Sequence, residues 1–353
     1  MGEAKKCLSD LLKGVYVPPF EEIRRKVLEI YNEPVPLQKG IRRRALVKYL
    51  IRIRKMDNYV NTHVFNEIEK LPRGDAIHKF YLELMKLGGV NNYEEIINDL
   101  MRRRYIVNKL TREYLEKVRM SFDVAEAKKM TREYVGRLLS VFRRSRHYLN
   151  ALSRAIKELR SMPCIDMDLP KIVVAGMPQV GKSTFVRVVS TAKPEVSPFP
   201  FTTKEIIVGH RLINYQYVQI IDTPGILDRP FNKLNEIERR ALTAIKYLTD
   251  ALIFLIDPYE ASYYPLESQI NLLKNIITHL INSEKVVVAV NKVDVVSKER
   301  ISFVVSRIRE VFKGDIMVMS ALKNYNVLNV LNRALSKISN ELNQQHSESL
   351  TRK

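Results

Sequence analysis

The sequence predicts two fold classes in series: an all-α helical bundle over residues 1–168, then an α/β domain over residues 169–341. The α/β domain is predicted to have a mostly parallel sheet with helices on both faces. Residues 18–160 show helical periodicity with few breakers, whereas short apolar runs alternate with amphipathic stretches after residue 170. The segment between these regions, 161–170, contains two prolines and therefore marks the boundary.

The first region is predicted to be a bundle of about four helices with Tyr and Leu side chains inside. In the run 41–60, apolar and basic side chains fall on opposite helix faces. The apolar set is Tyr49, Ile53, Met56 and Val60, and the basic set is Arg44, Lys48, Arg52 and Lys55. Residues 131–160 show a near-heptad spacing, typical of helices packed lengthwise. Its members are Val135, Leu138, Phe142, Leu149, Leu152, Ile156 and Leu159. A shorter helix ending at Gly88–Gly89 and a long one within 91–120 lie between these runs.

Five short apolar runs predict the strands of the sheet: 171–175, 216–221, 251–256, 285–290 and 315–319. Residues 204–212 are predicted to pair with 216–221 as a hairpin, which places one antiparallel strand at the sheet edge. The last residues, 342–353, are polar and are predicted to form a frayed tail.

The stretch GMPQVGKST, residues 176–184, fits the phosphate-loop pattern G-x-x-x-x-G-K-[ST] between a predicted strand and a predicted helix. Its glycines let backbone N–H groups point at a phosphate beside a helix N-terminus. Lys182 supplies a cation for the β- and γ-phosphates, and the Ser183 hydroxyl is a predicted magnesium ligand. The predicted phosphate-binding residues are Gly176, Met177, Pro178, Gln179, Val180, Gly181, Lys182, Ser183 and Thr184.

Two later segments complete the predicted phosphate and magnesium site. In IIDTPG, residues 220–225, Asp222 is expected to hold magnesium through water, and the Gly225 N–H to contact a γ-phosphate. In FPFTTK, residues 199–204, Thr203 is the preferred second metal-ligating hydroxyl and Thr202 the alternative. Ser183, Thr203 and Asp222 therefore form the predicted metal set, and Lys182, Thr203 and Gly225 the predicted catalytic set.

The base is predicted to be guanine because NKVD, residues 291–294, follows a strand-like run. The Asp294 carboxylate can accept from the guanine N1–H and 2-amino group, a donor pair that adenine lacks at these positions. Asn291 and Lys292 are expected to brace the base and the phosphate loop. The segment SAL, Ser320, Ala321 and Leu322, is expected to offer a backbone N–H to the guanine oxygen. Together the motifs predict a GTPase domain whose cofactors are GTP or GDP and Mg²⁺.

The charge of the chain points to a polyanionic partner. The formal net charge is +20, and residues 1–168 carry 35 Lys+Arg against 22 Asp+Glu, a surplus of 35 − 22 = 13. Such a surface favours RNA or anionic lipid, and it is also compatible with simple solubility. Two cysteines are too few for a disulfide framework and have no metal-ligand spacing, so a reducing, cytoplasmic location is expected. We find no signal peptide and no membrane-spanning stretch in the sequence.

The chain resembles the Obg-like GTPases and, most closely, their Nog branch, the nucleolar GTP-binding proteins, in a short archaeal-type form. The resemblance rests on the motifs above and on FPFTTK and DTPGILDRPFNKLNEIERRAL. It extends upstream through DAIHKFYLELMKL and SMPCIDMDLPKIVVAGMP, and covers residues from about 20 to about 340. The long carboxyl-terminal extension of the eukaryotic members has no counterpart here, so no role that depends on it is expected.

The resemblance implies a role in assembly of the large ribosomal subunit, with ribosomal RNA and subunit precursors as partners and other assembly factors nearby. Ile226 stands where many GTPases have a water-orienting glutamine, so slow intrinsic hydrolysis, stimulated by the assembling ribosome, is expected. Gln179 stands where relatives that use potassium have asparagine, which argues against potassium activation. No membrane partner is expected, and the free protein is expected to be a monomer.

The candidate RNA-facing groups are the basic set Arg44, Lys48, Arg52 and Lys55 and the cluster Arg102, Arg103 and Arg104, although either can also be a solvated helix face. An alternative function is a signalling or trafficking GTPase whose basic helices bind an anionic membrane, although no lipidation motif supports it. A third is a tRNA-modification or translation factor, for which residues 1–168 offer no second catalytic constellation.

Overall fold

The computed structural model describes residues 7–35, 44–202, 204–213, 215–223 and 236–338, except for the side chains at 44, 45, 236, 237, 239 and 240. The chain divides into two compact units. The sheet unit comprises residues 1–10, 78–87 and 161–353, and the helical unit comprises residues 11–77 and 88–160. The compact units therefore depart from the predicted boundary at residue 168, because three segments of the predicted bundle, 1–10, 78–87 and 161–168, belong with the sheet.

Thirteen α-helices lie within the described residues. They are α1 (Leu8–Leu11), α2 (Phe20–Asn32), α3 (Arg44–Val60), α4 (Asn66–Glu69), α5 (Lys79–Leu87), α6 (Tyr93–Met120), α7 (Val124–Arg143), α8 (Arg146–Arg160), α9 (Lys182–Val189), α10 (Glu236–Leu248), α11 (Leu266–His279), α12 (Lys298–Val311) and α13 (327–338). A π-helical turn, Asn61–Phe65, joins α3 to α4. Among these described segments, none is both long enough and apolar enough to cross a membrane.

The core of the helical unit follows the predicted periodicity. All four residues of the predicted apolar face of α3, and all seven members of the near-heptad set, are buried. The set does not belong to one helix, however, because α7 ends at Arg143 and α8 begins at Arg146. At this break the Ser145 N–H donates to the Phe142 carbonyl at 3.1 Å, and the Ser145 carbonyl accepts from Leu149 N at 3.0 Å. One helix thus ends and the next begins while both keep their apolar faces inward.

A polar network lies inside the helical unit. The Thr111 hydroxyl donates to the Asp57 carboxylate at 2.7 Å and lies 3.0 Å from the Tyr134 hydroxyl. The Asn61 amide, in the π-helical turn, donates to the Asp57 carbonyl and to its carboxylate at 3.1 and 3.2 Å. Burial raises the pKa of Asp57, and the hydrogen bond from Thr111 opposes this rise.

The sheet has seven strands in the order β2-β3-β4-β1-β5-β6-β7. They are β1 (Lys171–Ala175), β2 (Glu195–Pro198), β3 (Glu205–Ile213), β4 (Gln216–Asp222), β5 (Ala251–Ile256), β6 (Val286–Val290) and β7 (Asp315–Val318). Every residue of β1, β5 and β6 is buried, which requires cover on both faces and confirms the predicted three-layer fold. The predicted antiparallel strand β3 is not at the edge, because β2 pairs with it antiparallel and forms the edge itself.

Chain connectivity makes β1 the point where the strand order reverses. Its two neighbours, β4 and β5, are both parallel to it, with Ile172 aligned to Ile220 and to Ala251. Ligands of open α/β sheets bind beyond the carboxyl ends of strands at such a switch point. The residues that follow β1, β4, β5 and β6 are therefore expected to converge.

Helix α5 belongs to the sheet unit although its sequence lies within the predicted bundle, and it packs against α10. The ring of Phe80, fully buried, lies edge-on to the ring of Phe199 with centroids 6.5 Å apart. The Tyr81 hydroxyl donates to the Ile165 carbonyl at 3.2 Å. Apolar side chains of α5 thus find their partners on the sheet unit, which explains the departure from the predicted boundary.

Cys7 and Cys164, also in the sheet unit, form a disulfide with their Cα atoms 5.4 Å apart. The sequence did not predict this disulfide, because two cysteines are too few for a disulfide framework and a reducing location was expected. The Asp10 carboxylate lies within 4.8 Å of both sulfurs, a grouping that the sequence spacing did not indicate. Because the sulfurs are bonded to each other, they are not thiolate ligands for a metal here.

Candidate nucleotide-binding site

The phosphate loop joins β1 to α9 and contains three residues with positive φ: Gly176, Gln179 and Gly181, at 140°, 66° and 102°. A Cβ at Gly176 would lie 2.5 Å from the carbonyl oxygen of Leu255 in β5. A Cβ at Gly181 would overlap the side-chain amide of Asn291. Only glycine fits at these two positions, because the loop passes against the ends of two neighbouring strands.

The other residues of the loop contribute mainly through their backbone. The Met177 and Val180 side chains are buried, Pro178 and Thr184 are half-buried, and Gln179 is exposed. The Lys182 ammonium is buried and donates to the carbonyls of Gly176 and Met177 at 2.8 and 3.0 Å. The predicted phosphate-binding cation therefore lies inside the loop that would surround the phosphate.

Two predicted magnesium-binding side chains are in direct contact. The Ser183 hydroxyl donates to the Asp222 carboxylate at 2.8 Å, and Asp222 ends β4 beside β1. A hydroxyl and a carboxylate are the oxygen donors that Mg²⁺ takes beside nucleotide phosphates. The residues present therefore fit a magnesium ion next to the phosphate loop.

Thr202 does not support its predicted alternative role as a metal ligand. Its hydroxyl donates to the Phe199 carbonyl at 2.9 Å and accepts from Lys204 N at 3.1 Å, so it closes a tight turn. Phe199 N and the Lys204 carbonyl complete that turn at 2.7 Å. Thr203 and Gly225, predicted for the metal ion and the γ-phosphate, lie outside the described residues.

Asn291 links three loops at the ends of the strands. It is buried, its amide donates to the Val180 carbonyl at 2.8 Å, and its side-chain oxygen accepts from Ala321 N at 2.8 Å. Ser320 holds the third loop in shape, since its hydroxyl accepts from Lys323 N at 3.1 Å. The Ala321 N–H, one of those expected to meet the guanine oxygen, thus donates within the protein, while Leu322 is exposed.

Lys292 and Asp294 extend from the same loop in different ways. Lys292 has a positive φ of 60°, and its ammonium pairs with the buried Asp257 carboxylate at 2.6 Å. The Asp294 side chain is exposed and has no hydrogen-bond or ion-pair partner within the described ranges. An exposed carboxylate three residues after Asn291, which contacts the phosphate loop, matches the group needed to accept from the guanine N–H donors.

Asp257 and Gln269 are positioning residues that the sequence motifs did not reveal. The Gln269 side chain accepts from Asp257 N at 2.8 Å and donates to the Asp257 carbonyl at 3.1 Å. These bonds fix the end of β5, and the Asp257 carboxylate in turn fixes Lys292. The sequence shows only a single aspartate, Asp257, at the end of an apolar run. That pattern is common in α/β sheets, so it did not indicate a positioning role.

The basic set of α3 is partly engaged within the helical unit. The Lys55 ammonium pairs with the Glu33 carboxylate at 3.0 Å, and the Arg52 guanidinium donates to the Glu33 carbonyl at 3.1 Å. Arg52 also lies 5.7 Å from the ring centroid of Tyr49. The Arg44 side chain is outside the described part of the chain.

The cluster Arg102, Arg103 and Arg104 is likewise partly engaged in contacts within the helical unit. Arg103 makes a bidentate contact with the Asp99 carboxylate, at 2.8 and 3.1 Å, and donates to the Val141 carbonyl. Arg104 donates to side-chain oxygens of Asn61, Glu69 and Asn66. Of the three candidate RNA-facing arginines, Arg103 and Arg104 are thus held by contacts within the helical unit, and only Arg102 is exposed without such contacts among the described residues.

Comparison with known families and proteins gives consistent matches. The family model described as the NOG1 N-terminal helical domain matches residues 21–166. A second family model, described as 50S ribosome-binding GTPase, matches residues 171–292. An uncharacterised protein of Methanocaldococcus jannaschii is 35% identical over 251 residues, which cover 71% of this chain and 70% of the relative.

Nucleolar GTP-binding protein 1 of Drosophila melanogaster is 27% identical over 94% of this chain and 52% of its own length. The crystal structure of a protein described as nucleolar GTP-binding protein 1 from Plasmodium falciparum is 28% identical, with a TM-score of 0.46. The match covers 54% of this chain and 97% of that one. The chain spans about half the length of the nucleolar proteins of the curated set that it matches. With its P-loop GTPase fold and preceding helical domain, the chain belongs to the nucleolar GTP-binding protein family.

Proposed function

We propose that the protein is a GTP-hydrolysing switch that acts in assembly of the large ribosomal subunit and binds pre-ribosomal RNA through its helical unit. We also propose that it acts in the cytoplasm and is a monomer when free. The observation that carries the proposal is the contact of Asn291 with both the phosphate loop and the loop at 321, beside the exposed Asp294. The family supplies the ribosomal context, because the matched model is described as a 50S ribosome-binding GTPase.

Each side chain at the strand ends has a distinct proposed task. Backbone N–H groups of 176–184 and the Lys182 ammonium bind the phosphates, and Asp294 selects guanine. Ser183, Asp222 and Thr203 would hold Mg²⁺, which neutralises charge between the β- and γ-phosphates. The Gly225 N–H would contact the γ-phosphate. Loss of the γ-phosphate on hydrolysis would break this contact and so signal the change of state. Ile226 offers no polar group to an attacking water, so the intrinsic rate is expected to be slow.

Calorimetry with GTP, GDP and ATP in the presence of Mg²⁺ tests the nucleotide assignment. We expect tight binding of both guanine nucleotides and no measurable ATP binding, and equal binding of ATP and GTP would contradict the proposal. Single-turnover hydrolysis, with and without large ribosomal subunits, tests the switch. An unstimulated rate above about 1 s⁻¹ already lies in the range of ordinary enzymes. Such a rate would be inconsistent with a switch whose hydrolysis depends on the ribosome.

The outer face of α6 is the best-supported RNA contact in the helical unit. Arg102, Lys109 and Arg112 are exposed there at spacings of seven and three residues, and Tyr105 between them is 74% exposed. None of these cations has a hydrogen bond or ion pair within the described segments, unlike Arg103 and Arg104. Exposed cations beside an aromatic ring suit a phosphate backbone with unstacked bases.

Charge reversal on α6 separates RNA binding from general electrostatics. Changing Arg102, Lys109 and Arg112 to Glu should abolish co-sedimentation with large-subunit precursors and leave GTP affinity unchanged. The control changes Lys274, Lys298 and Lys313, exposed lysines of the sheet unit, to Glu for the same change in net charge. Equal loss in both variants, or binding to anionic vesicles in place of subunits, would refute this part of the proposal.

A further inference from the structure

The helical unit contains an open cleft of about 440 Å³, which we call the tyrosine cleft. Its walls come from residues 14–18, from α2, from the junction of α3 with the π-helical turn, and from α4. The volume falls in the range of roughly 300–1,000 Å³ found for small-molecule sites. All of its lining residues belong to the helical unit, so the cleft is separate from the GTP site.

One wall of the tyrosine cleft is aromatic. Tyr16 is 50% exposed, and the rings of Tyr59 and His63 lie at an angle of 34° with centroids 5.4 Å apart. His63 lies in the π-helical turn, a rare conformation that occurs often at functional sites. Burial raises the pKa of Tyr59 to about 12, so its phenol stays neutral and can donate a hydrogen bond.

The two carboxylates of the cleft already have partners within the protein. Glu22 accepts a hydrogen bond from the Tyr16 hydroxyl. Glu67 accepts from Tyr16 N at 2.9 Å and pairs with Lys70. Both acids are therefore used in contacts within the protein, Glu67 with a cation and Glu22 with a neutral phenol.

The basic groups of the cleft are less constrained. Lys26 pairs with Glu29 at 3.1 Å, whereas Arg25 reaches the same carboxylate only at 4.0 Å, and its side chain is 70% exposed. Arg25 is thus the charged group most available to an incoming ligand. A guanidinium binds phosphate oxygens in a bidentate geometry, so the available charge favours an anion.

We propose that the tyrosine cleft binds one nucleotide, with its base against Tyr16, Tyr59 and His63 and its phosphate at Arg25. Aromatic faces accept any base by stacking, which is how proteins hold unpaired nucleotides. The same chemistry is present in a free mononucleotide and in an unpaired residue of an RNA strand. The site requires no GTP hydrolysis, so it can be tested apart from the proposed switch.

The test uses the full chain with its guanine site filled by excess GDP and Mg²⁺. One probe is AMP, followed by calorimetry, and the other is an RNA hexanucleotide with a central 2-aminopurine, followed by fluorescence. Stacking in the cleft should quench the 2-aminopurine emission. Arg25→Ala should weaken binding of the probe by about tenfold or more, the effect of losing a charge-assisted hydrogen bond.

Arg24→Ala is the matched control, because Arg24 lies on the same helix and pairs with Glu21 at 3.1 Å. It removes the same charge and should change affinity by less than about twofold. Tyr16→Phe should keep the quenching, and Tyr16→Ala should lose it. Arg24 and Arg25 are exposed, so Arg24→Ala and Arg25→Ala should both fold. The comparison of these two variants decides the outcome even if Tyr16→Ala does not fold.

Two positive outcomes identify the source of the nucleotide. If AMP and the hexanucleotide both bind in an Arg25-dependent way, a mononucleotide is sufficient. If only the hexanucleotide does so, the cleft takes a base from an RNA strand. Equal affinities of Arg25→Ala and Arg24→Ala for both probes, or failure of both probes to bind, would overturn the proposal.

Discussion

The sheet unit and the helical unit use their polar side chains differently. In the sheet unit, the side chains of Lys182, Asp222 and Asn291 each form a hydrogen bond with the phosphate loop, residues 176–184. In the helical unit, Arg103 and Arg104 bind acceptors on their own and neighbouring helices, and these contacts stabilise the bundle. Position on a strand end therefore indicates function better than positive charge on a helix does.

The reason for the difference is geometric. The carboxyl ends of parallel strands meet at one edge, so a motif that follows a strand is placed by local structure alone. A basic residue on a helix has no such fixed destination, because its long side chain can reach an acceptor on any neighbouring helix. Only the tertiary contacts separate Arg102 from Arg103.

The largest expected effect concerns Asp294, which tests whether the strand-end side chains act as one site. Asp294→Ala should reduce GTP affinity by roughly 10²–10⁴-fold, because two hydrogen bonds to a charged acceptor are lost. ATP binding should remain undetectable, as measured by calorimetry. Glu299→Ala, an exposed acid at the start of α12, should leave GTP affinity unchanged. Equal effects of both changes would show that Asp294 acts only through its charge.

The next effect concerns the disulfide, whose cysteines belong to the sheet unit and flank the helical unit in sequence. Its sequence separation of 157 residues implies a contribution of up to about 5 kcal/mol to the free energy of unfolding. Thermal unfolding with and without a reductant should therefore differ by many degrees. The double variant Cys7→Ser, Cys164→Ser should unfold at the lower temperature in both conditions. Two titratable thiols in untreated protein would contradict the account.

A paired substitution tests the assignment of α5 to the sheet unit. Phe80→Ala removes a buried ring that lies against Phe199, and Phe65→Ala removes one stacked on Phe142 in the helical unit. Each should cost about 3–5 kcal/mol. Hydrogen exchange should show loss of protection in the sheet unit for Phe80→Ala and in the helical unit for Phe65→Ala. Loss confined to the helical unit in both variants would place α5 with the bundle.

The smallest expected effect concerns Asp57, a half-buried carboxylate of the helical unit. Burial raises its pKa above the ordinary 3.8, so its stabilising contribution is present below pH 3.8 and is lost as the pH rises through its pKa in the folded protein. The Asp57→Asn variant lacks this ionisation. The melting temperature of the variant relative to that of the wild type should therefore rise from pH 4 to pH 7. The gain is expected to be at most a few degrees, because the group is only half-buried. Exposed Asp75→Asn should show no such trend.

Regular features of the sequence predicted much of the architecture. The apolar face of α3 is buried, and the five apolar runs form strands that are buried or half-buried except at Gln216 and Tyr217. Their periods match helix and sheet geometry. The strand β2 escaped prediction, since its four residues form no apolar run and three of them are exposed. Thr202 satisfied the motif pattern, yet its hydroxyl is used within its own turn.

Features that depend on distant contacts could not be predicted from the sequence. The disulfide joins residues 157 positions apart, and no local pattern specifies that pairing. Helix α5 has the same amphipathic character as its neighbours in sequence, and only its contacts with α10 and Phe199 assign it to the sheet unit. Asp257 and Gln269 likewise gain their positioning role only when β5 and α11 come together.

The central claim is that guanine nucleotide at the strand ends controls attachment to large-subunit precursors. It is tested most directly by sedimenting the protein with these particles on sucrose gradients, with either a non-hydrolysable GTP analogue or GDP bound. The account predicts co-sedimentation with the GTP analogue and release with GDP. Equal association in the two nucleotide states, or none in either, would contradict it.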